Sequence, residues 1–382
     1  MGKDITIKKI VTSDIENELA NIGYDSSYAH IGANKFRFIN LKLFSLSLPQ
    51  ANILKQTALA FGADCAVHHD VLTANVENTD CILGGSFSQI KKISESIKKQ
   101  PFSMSLISKK LECFLKSEKN ILPKIVGILN LTENSFSDGG KYIDFDNAIK
   151  HLHEMIDEGA DIIDIGAEST KPFAQPISAS KQMSLIEPVL GYINKNNIDI
   201  PISIDTRSSE VAQKTIEMGA SIINDVSGFD FDSKMVDIVS NYDNVKVIIQ
   251  HSQGNPTDMQ INPVYNSVVD EIYLALKNKI ELAVSKNIST DNIIIDVGIG
   301  FGKTKEHNFE LIKRIQEFQS LECEIMLGTS RKSLLDMKDE PNEIKDVFTV
   351  ALNALAIERN VNYLRVHNVL LHKKLIDLMK NF

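Results

Sequence analysis

Short apolar runs in this chain end, one after another, on polar residues: Asn130, Asp164, Asp205, Asn224, His251, Asp296, Ser330 and His367. Taken singly, an Asp or Asn in such a place is often only the cap of a following helix. As a set they say more, because three carboxylates converging without a task would repel one another and lose hydration. Cations gather late in the chain, with Arg331 and Lys332 after one run and Arg365 beside His367 on the next. Arg suits a two-bond grip on phosphate. Together these groups suit a flat, polar-edged ligand bearing a phosphate or pyrophosphate. The stretch GIGFGKT (Gly298–Thr304) fails both nucleotide motifs, since Val297 stands where a P-loop needs Gly and the spacing is GxGxG rather than GxGxxG. It remains a glycine-rich turn that lets backbone approach a flat ligand, with Phe301 able to pack on it. His68-His69-Asp70 reads as a surface loop, because neighbours on a strand point to opposite faces and chelate poorly.

These residues need a scaffold that brings strand ends to one place. The run Ile125–Leu131 is too short for a helix, rich in β-formers, and opens into a Ser/Asp/Gly loop. The pattern repeats at Asp161–Gly166, Ile200–Asp205, Ser221–Asp225, Val245–Gln250, Ile293–Val297, Glu324–Leu327 and Tyr363–Val366, with helix-length amphipathic stretches between. That is the count and size of a (β/α)8 TIM barrel, whose active site lies at the strand C-termini and whose last two loops commonly bind phosphate. A doubly wound sheet is the alternative, but it gathers its ligand at one switch point. Residues 1–122 read as a small α/β domain, with strands at Lys35–Phe44, Asp64–Val67 and Cys81–Leu83 and helices at Pro49–Phe61, from Ser86 to Gln100, and at Ser103–Lys116. The polar, Pro-ended segment Lys116–Pro123 separates it from the barrel at 123–382.

Bulk properties narrow the partners. A length of 382 residues favours two domains, and a net charge of −9 argues against nucleic acid or an anionic membrane as the main partner. Cys65, Cys81, Cys113 and Cys323 form no CxxC pair or metal spacing, and Met1–Lys9 lacks the apolar core of a signal peptide, so a cytoplasmic protein with reduced thiols is expected.

The blocks GILNLTENSFSDGG, DIIDIGAESTKP, ISIDT, IINDVSG, IIIDVGIGFGKTKEHN, GTSRKS and LRVHNV, in that order over nearly all of Lys124–Phe382, resemble the dihydropteroate synthase family. Residues 1–122 resemble an extension carried by some bacterial members. The resemblance implies condensation of 6-hydroxymethyl-7,8-dihydropterin pyrophosphate with p-aminobenzoate, giving 7,8-dihydropteroate for folate and releasing pyrophosphate. It implies that Asp205, Asn224, Asp296 and Lys332 hold the pterin with Asp164 near the ring, and that Asn130 serves Mg²⁺. Arg365 and His367 then serve the pyrophosphate, and Asp138 lies in a loop that closes over the site. Phe136, Thr170, Pro172 and Ser330 match the p-aminobenzoate pocket that sulfonamides target, with Lys171 where the family often has Arg. Homodimers are common in the family. Departures from its pattern are Glu133, Asn134, Phe173, Gln250, Val297 and Asn368. A methyltransferase of the same fold that serves a corrinoid protein shares the pterin grip but needs no pyrophosphate site. A pterin-binding protein without catalysis is a third reading.

Overall fold

The computed structural model describes residues 7–10, 15–115, 121–131, 141–168, 177–253, 263–332 and 340–381. Two compact units divide the chain, Met1–Lys119 and Asn120–Phe382. No helix among the described residues is long and apolar enough to cross a membrane.

The first unit contains α1 (Ile15–Asn21), α2 (Ala29–Ala33), β1 (Phe38–Ser47), α3 (Leu48–Ala60), β2 (Asp64–Val67), β3 (Asn78–Ser86), α4 (Phe87–Ile97) and α5 (Met104–Cys113). Its three strands form an antiparallel sheet in the order β1-β3-β2. One face of that sheet and the helices bury Leu54, Leu83, Ile90, Ile93, Ile97 and Met104. The sequence placed a slip in the middle of Lys35–Phe44. The register shift lies further on, between Leu43 and Leu46, where Ser45 takes a φ of +53°. Ser86 caps α4 as expected, within a capping box closed by Gln89. His68-His69-Asp70 does not sit on a strand. It forms a 3-10 turn that gathers the three polar tips within 4.8 Å, but the cluster is largely exposed and His68 Nδ1 already accepts from the Asp70 N–H.

In the second unit, runs of Ile, Val and Leu buried on both faces pair in parallel. The strands are β4 (Lys124–Asn130), β5 (Ile162–Gly166), β6 (Ile202–Asp205), β7 (Ile222–Asp225), β8 (Lys246–Gln250), β9 (Ile293–Asp296), β10 (Glu324–Leu327) and β11 (Tyr363–Val366). They close in chain order, with β11 pairing back onto β4. Each is followed by a helix: α6 (Lys141–Asp157), α7 (Ala179–Lys195), α8 (Ser209–Glu217), α9 (Met235–Val239), α10 (Val268–Ser285), α11 (Lys305–Lys313), α12 (Asn342–Glu358) and α13 (Val369–Met379). Residues alternate between the helical layer and the barrel lumen. Val126, Ile162, Ile222, Ile248, Ile294, Met326 and Tyr363 form a separate apolar cluster that floors the lumen. The acidic and amide groups of the candidate site lie above that plug, at the strand C-termini, while Lys246 and Glu324, joined by the Tyr363 hydroxyl, lie at the other end.

Helix α12 buries polar residues beside Ala356 and Ile357 and also carries apolar residues on its outer side. Asp346, Thr349 and Asn353 on it are buried, whereas Ile344, Val347, Phe348 and Leu355 are exposed.

Candidate active site

Strand register sets the first rung of the site. Asn130 pairs with Gly166, Gly166 with Asp205, and Asp205 with Asn224, so these residues face the lumen along one row of the register. Asp164 lies a layer lower, opposite Ser203. Arg365 on β11 spans the lumen. Its Nε donates to Asp164 Oδ2 at 2.6 Å and its Nη2 to Asp205 Oδ2 at 2.7 Å. Asn224 Nδ2 donates to the same Asp164 oxygen at 3.2 Å. Two acceptors, Asp164 Oδ1 and Asn224 Oδ1, are enclosed with no hydrogen-bond partner among the described residues. Unpaired buried acceptors are costly and mark where a donor is due. Burial pushes Asp205 up to about 7, with Arg365 pulling against it and Asp164 adding to it. Burial also works against the Arg365 charge, but Asp164 and Asp205 hold it above its ordinary value. Arg365, matched on sequence to the pyrophosphate, is here also the counter-ion of two carboxylates.

The opposite wall is built by β9 and the turn after it. Asp296 Oδ1 accepts from the Gly298 N–H at 2.7 Å, and burial pushes its carboxyl up, opposed by nearby Lys332. Lys332 Nζ donates to the Ile299 carbonyl at 2.5 Å and lies 4.7 Å from the centre of the Phe301 ring. Burial lowers Lys332 to about 8, against the pull of Asp296. The glycines of this turn serve chain packing more than approach to a ligand. A Cβ at Gly298, whose φ is +69°, would lie 1.9 Å from the His251 carbonyl oxygen. Strand pairing sets Gln250 beside Asp296, so Gln250 is the lumen residue of β8 and His251 turns off it. The Gln250 amide is held by the Val226 carbonyl at 3.3 Å.

Lys303, which the sequence reading passed over inside GIGFGKT, is fully enclosed. Its Nζ bonds the Phe301 carbonyl at 2.8 Å and His251 Nδ1 at 3.1 Å. Burial holds its pKa well below the ordinary value and pushes His251 down to about 2. A second missed pair is Glu168 with Arg207, a buried two-bond contact at 2.8 and 3.2 Å capped by the Phe231 ring. A Lys inside a glycine turn and an Arg one residue beyond a strand-end Thr carry no sequence signal that tells a strut from a ligand.

Behind the site, Ser330 Oγ lies 2.9 Å from His367 Nδ1 and accepts the His367 backbone N–H at 3.2 Å. Burial lowers His367 to about 3, helped by Arg331 and Arg365. Arg331, grouped with the phosphate-binding cations on sequence, turns away instead. It makes two 2.8 Å bonds to Asp346 on α12, which also receives the Asn368 amide. Asn368 in turn caps α13 through Leu371 N–H. Asn130 Oδ1 faces the gap left by Gly166, where an added Cβ would come within 3.6 Å of it. Glu133, Asn134, Phe136, Asp138, Thr170, Lys171, Pro172 and Phe173 lie outside the described residues.

An acidic lumen rung, two unfilled acceptors and a Lys-bearing glycine turn on one barrel mouth are the setting in which the sequence pattern of the pterin binding enzymes matches residues 126–367. The chain belongs to that family. Among its curated relatives, the dihydropteroate synthase of Clostridium beijerinckii is 42% identical over 248 residues, which cover 64% of this chain and 89% of that one. A bifunctional dihydropteroate synthase/dihydropteroate reductase of Helicobacter pylori is 31% identical over 380 residues and covers 98% of each chain. The crystal structure of dihydropteroate synthase from Clostridium difficile, obtained in the presence of pteroic acid, superposes with a TM-score of 0.64 at 34% identity, covering 70% of this chain and 98% of that one. Pterin binding enzymes of the dihydropteroate synthase type are thus its kin.

Proposed function

We infer that this chain condenses 6-hydroxymethyl-7,8-dihydropterin pyrophosphate with p-aminobenzoate to 7,8-dihydropteroate. The observation that carries the reading is the pair of enclosed acceptors, Asp164 Oδ1 and Asn224 Oδ1, beside Asp205 and Asp296 in the closed mouth. Carboxylates accept only, and a pterin edge presents ring N–H and amino donors to them. Lys332 and the Phe301 ring form one flank of the same pocket. Since Arg365 occupies two of the carboxylates, seating the pterin releases its guanidinium toward the diphosphate side of the mouth. Its charge then meets the negative charge that builds on the departing diphosphate. The amine of p-aminobenzoate attacks the methylene carbon, so no protein nucleophile is required. Asn130 would hold Mg²⁺: its neutral oxygen and the space over Gly166 suit a hard cation that keeps most of its ligands from water and phosphate. When bound, Mg²⁺ supplies further positive charge to the diphosphate oxygens. Thr170, Lys171, Pro172 and Phe136 are proposed as p-aminobenzoate contacts and Asp138 as a group of the closing loop. Incubating the full chain with both substrates and Mg²⁺ while following pyrophosphate and dihydropteroate tests the reading. Folded protein that forms neither product would falsify it.

A second activity is favoured by the full-length match to the Helicobacter pylori protein, which includes residues 1–119. We propose that this chain also reduces dihydropteroate. The test supplies dihydropteroate with a reduced nicotinamide or flavin and follows oxidation of the donor; a rate no higher than that without protein would refute it. We further propose a homodimer through α12, because Ile344, Val347, Phe348 and Leu355 on its outer side are exposed.

A further inference from the structure

The sheet of the first unit has one bare face. Cys65, Cys81 and Leu83 point into the core, while Phe38 and Asn40 on β1, Asp64 and Ala66 on β2 and Ile82 on β3 alternate outward. Pairing sets Gly84 of β3 between Asn40 and Asp64, and Ile82 beside Ala66. Phe38 and Asn40 lean across β3 over Gly84, where a Cβ would lie 2.8 Å from Asn40 Oδ1 and 3.4 Å from the Phe38 ring. Between these two side chains and β2 runs a cleft of about 350 Å³. Its far rim is fixed. Gln89 ties down the turn into β2 by donating to the Phe61 and Gly62 carbonyls at 3.2 and 2.8 Å. Asp64 Oδ1 accepts the Cys65 N–H at 2.7 Å, which orients the carboxylate. The result is a slot with an apolar wall and floor, a carboxylate on one side and a primary amide on the other. A carboxylate only accepts, so it suits a ligand edge with adjacent N–H donors. A pterin has that edge, a ring N–H beside an amino group. A flavin presents one N–H between two carbonyls, and nucleotide cofactors carry phosphates, whereas no Lys or Arg lines the cleft among the described residues. Phe38 and Ile82 are 63% and 49% exposed, so the slot is open on the side away from the sheet.

We propose that this cleft seats the pterin ring of dihydropteroate, with Asp64 on its amino edge and Asn40 across from it, so that the first unit takes up the product of the barrel. This rests on the second activity proposed above. In that step a reduced nicotinamide or flavin gives a hydride to C6 of the ring and water gives a proton to N5. The N5=C6 double bond becomes single, and the donor leaves oxidised by two electrons. The open side of the slot is where the donor approaches.

The test uses 7,8-dihydropteroate and the full chain. D296N disables the barrel's grip on pterin, so calorimetry on that variant reads the cleft, and one site is expected to remain. Adding D64N weakens that site about tenfold or more, because a donor then faces a donor. Adding A66W, which fills the slot from β2, abolishes it. With Asp296 intact, D64N and A66W each raise KM for dihydropteroate in the reduction about tenfold or more and leave kcat and KM of the synthase reaction unchanged. No binding to D296N, or binding that neither D64N nor A66W alters, overturns the proposal. So does an A66W variant that loses riboflavin or reduced nicotinamide mononucleotide and keeps dihydropteroate, since the cleft then belongs to the donor. An A66W variant that only turns a dimer into a monomer in light scattering likewise overturns it. Should one variant misfold, the other decides. A chain that binds dihydropteroate in the cleft and oxidises no donor refutes the reductase reading alone.

Discussion

Asp296 shows how one carboxylate serves two masters. One oxygen fixes the turn through Gly298 N–H and the other is left for a ligand. Asp296→Asn keeps the first bond and puts an N–H where a second acceptor is needed, so a donor faces a donor. Pterin affinity is expected to fall roughly a hundredfold, at about 2–3 kcal/mol for a buried mismatch, with an unchanged melting temperature; undiminished binding in calorimetry would leave Asp296 a turn cap only. Arg365→Lys reaches one of Asp164 and Asp205 but not both. It is expected to lower the melting temperature and, as the loss of a well-aimed transition-state donor, to cut turnover on the order of a hundredfold. Lost stability with intact turnover would make Arg365 a strut alone. Lys332 gives a pH dependence. Its folded pKa lies near 8, below the ordinary 10.5, so its charge is present below about pH 8 and vanishes above. Binding of the pterin diphosphate should weaken as pH rises through 8, and in Lys332→Arg that step should disappear. For stability the sign is opposite: between 8 and 10.5 the unfolded chain binds the proton that the folded one does not, so the burden of burying Lys332 eases as pH rises. A titration monitored by calorimetry in both proteins checks the binding limb.

Elements were the most legible level of the chain. The eight short runs of Ile, Val and Leu became strands at nearly their expected bounds, because fully buried parallel strands are written as unbroken apolar words. Alternation was harder to see at their last residues. It decides whether Gln250 or His251 enters the lumen, and only pairing with Asp296 settles that. The roles of Arg331 and Lys303 were not legible, since a cation's partner lies far off in sequence: Asp346 for Arg331 and His251 for Lys303. Helix α12 carries the prediction for this scale. Its exposed Val347 and Phe348 lie on a face with no polar relief, and Phe348→Glu should turn a dimer into a monomer. Light scattering on the eluting protein reads the mass directly, and a wild type that is already monomeric would dispose of the α12 interface.

The whole molecule comprises two units, each with its own core, and the matched family pattern falls in the second. Every described group in the proposed synthase site belongs to that unit. Residues 120–382 made alone should therefore fold and keep the synthase kinetics of the full chain, whereas dihydropteroate reduction should be lost. Loss of synthase activity from a folded 120–382 protein would show that residues 1–119 complete the site. The extension is also where sequence reasoning stopped short of chemistry. Its sheet and helices were legible from turn residues and the Ser86 cap, but the meeting of the buried Cys65 and Cys81 thiols on neighbouring strands was not.

The ring of strands shuts where β11 meets β4, Leu364 against Ile125 and Arg365 against Val126. Asn130 and His367, which face the same diphosphate in the proposed reaction, thus come from the earliest and latest strands of the barrel. On a ribosome, seven strands can emerge and collapse while the counter-ion of Asp164 and Asp205 is still in the exit tunnel. Until it arrives, Asp164 and Asp205 lack the cation they share. Closure of the ring and neutralisation of its two carboxylates therefore wait together for the last strand to be made.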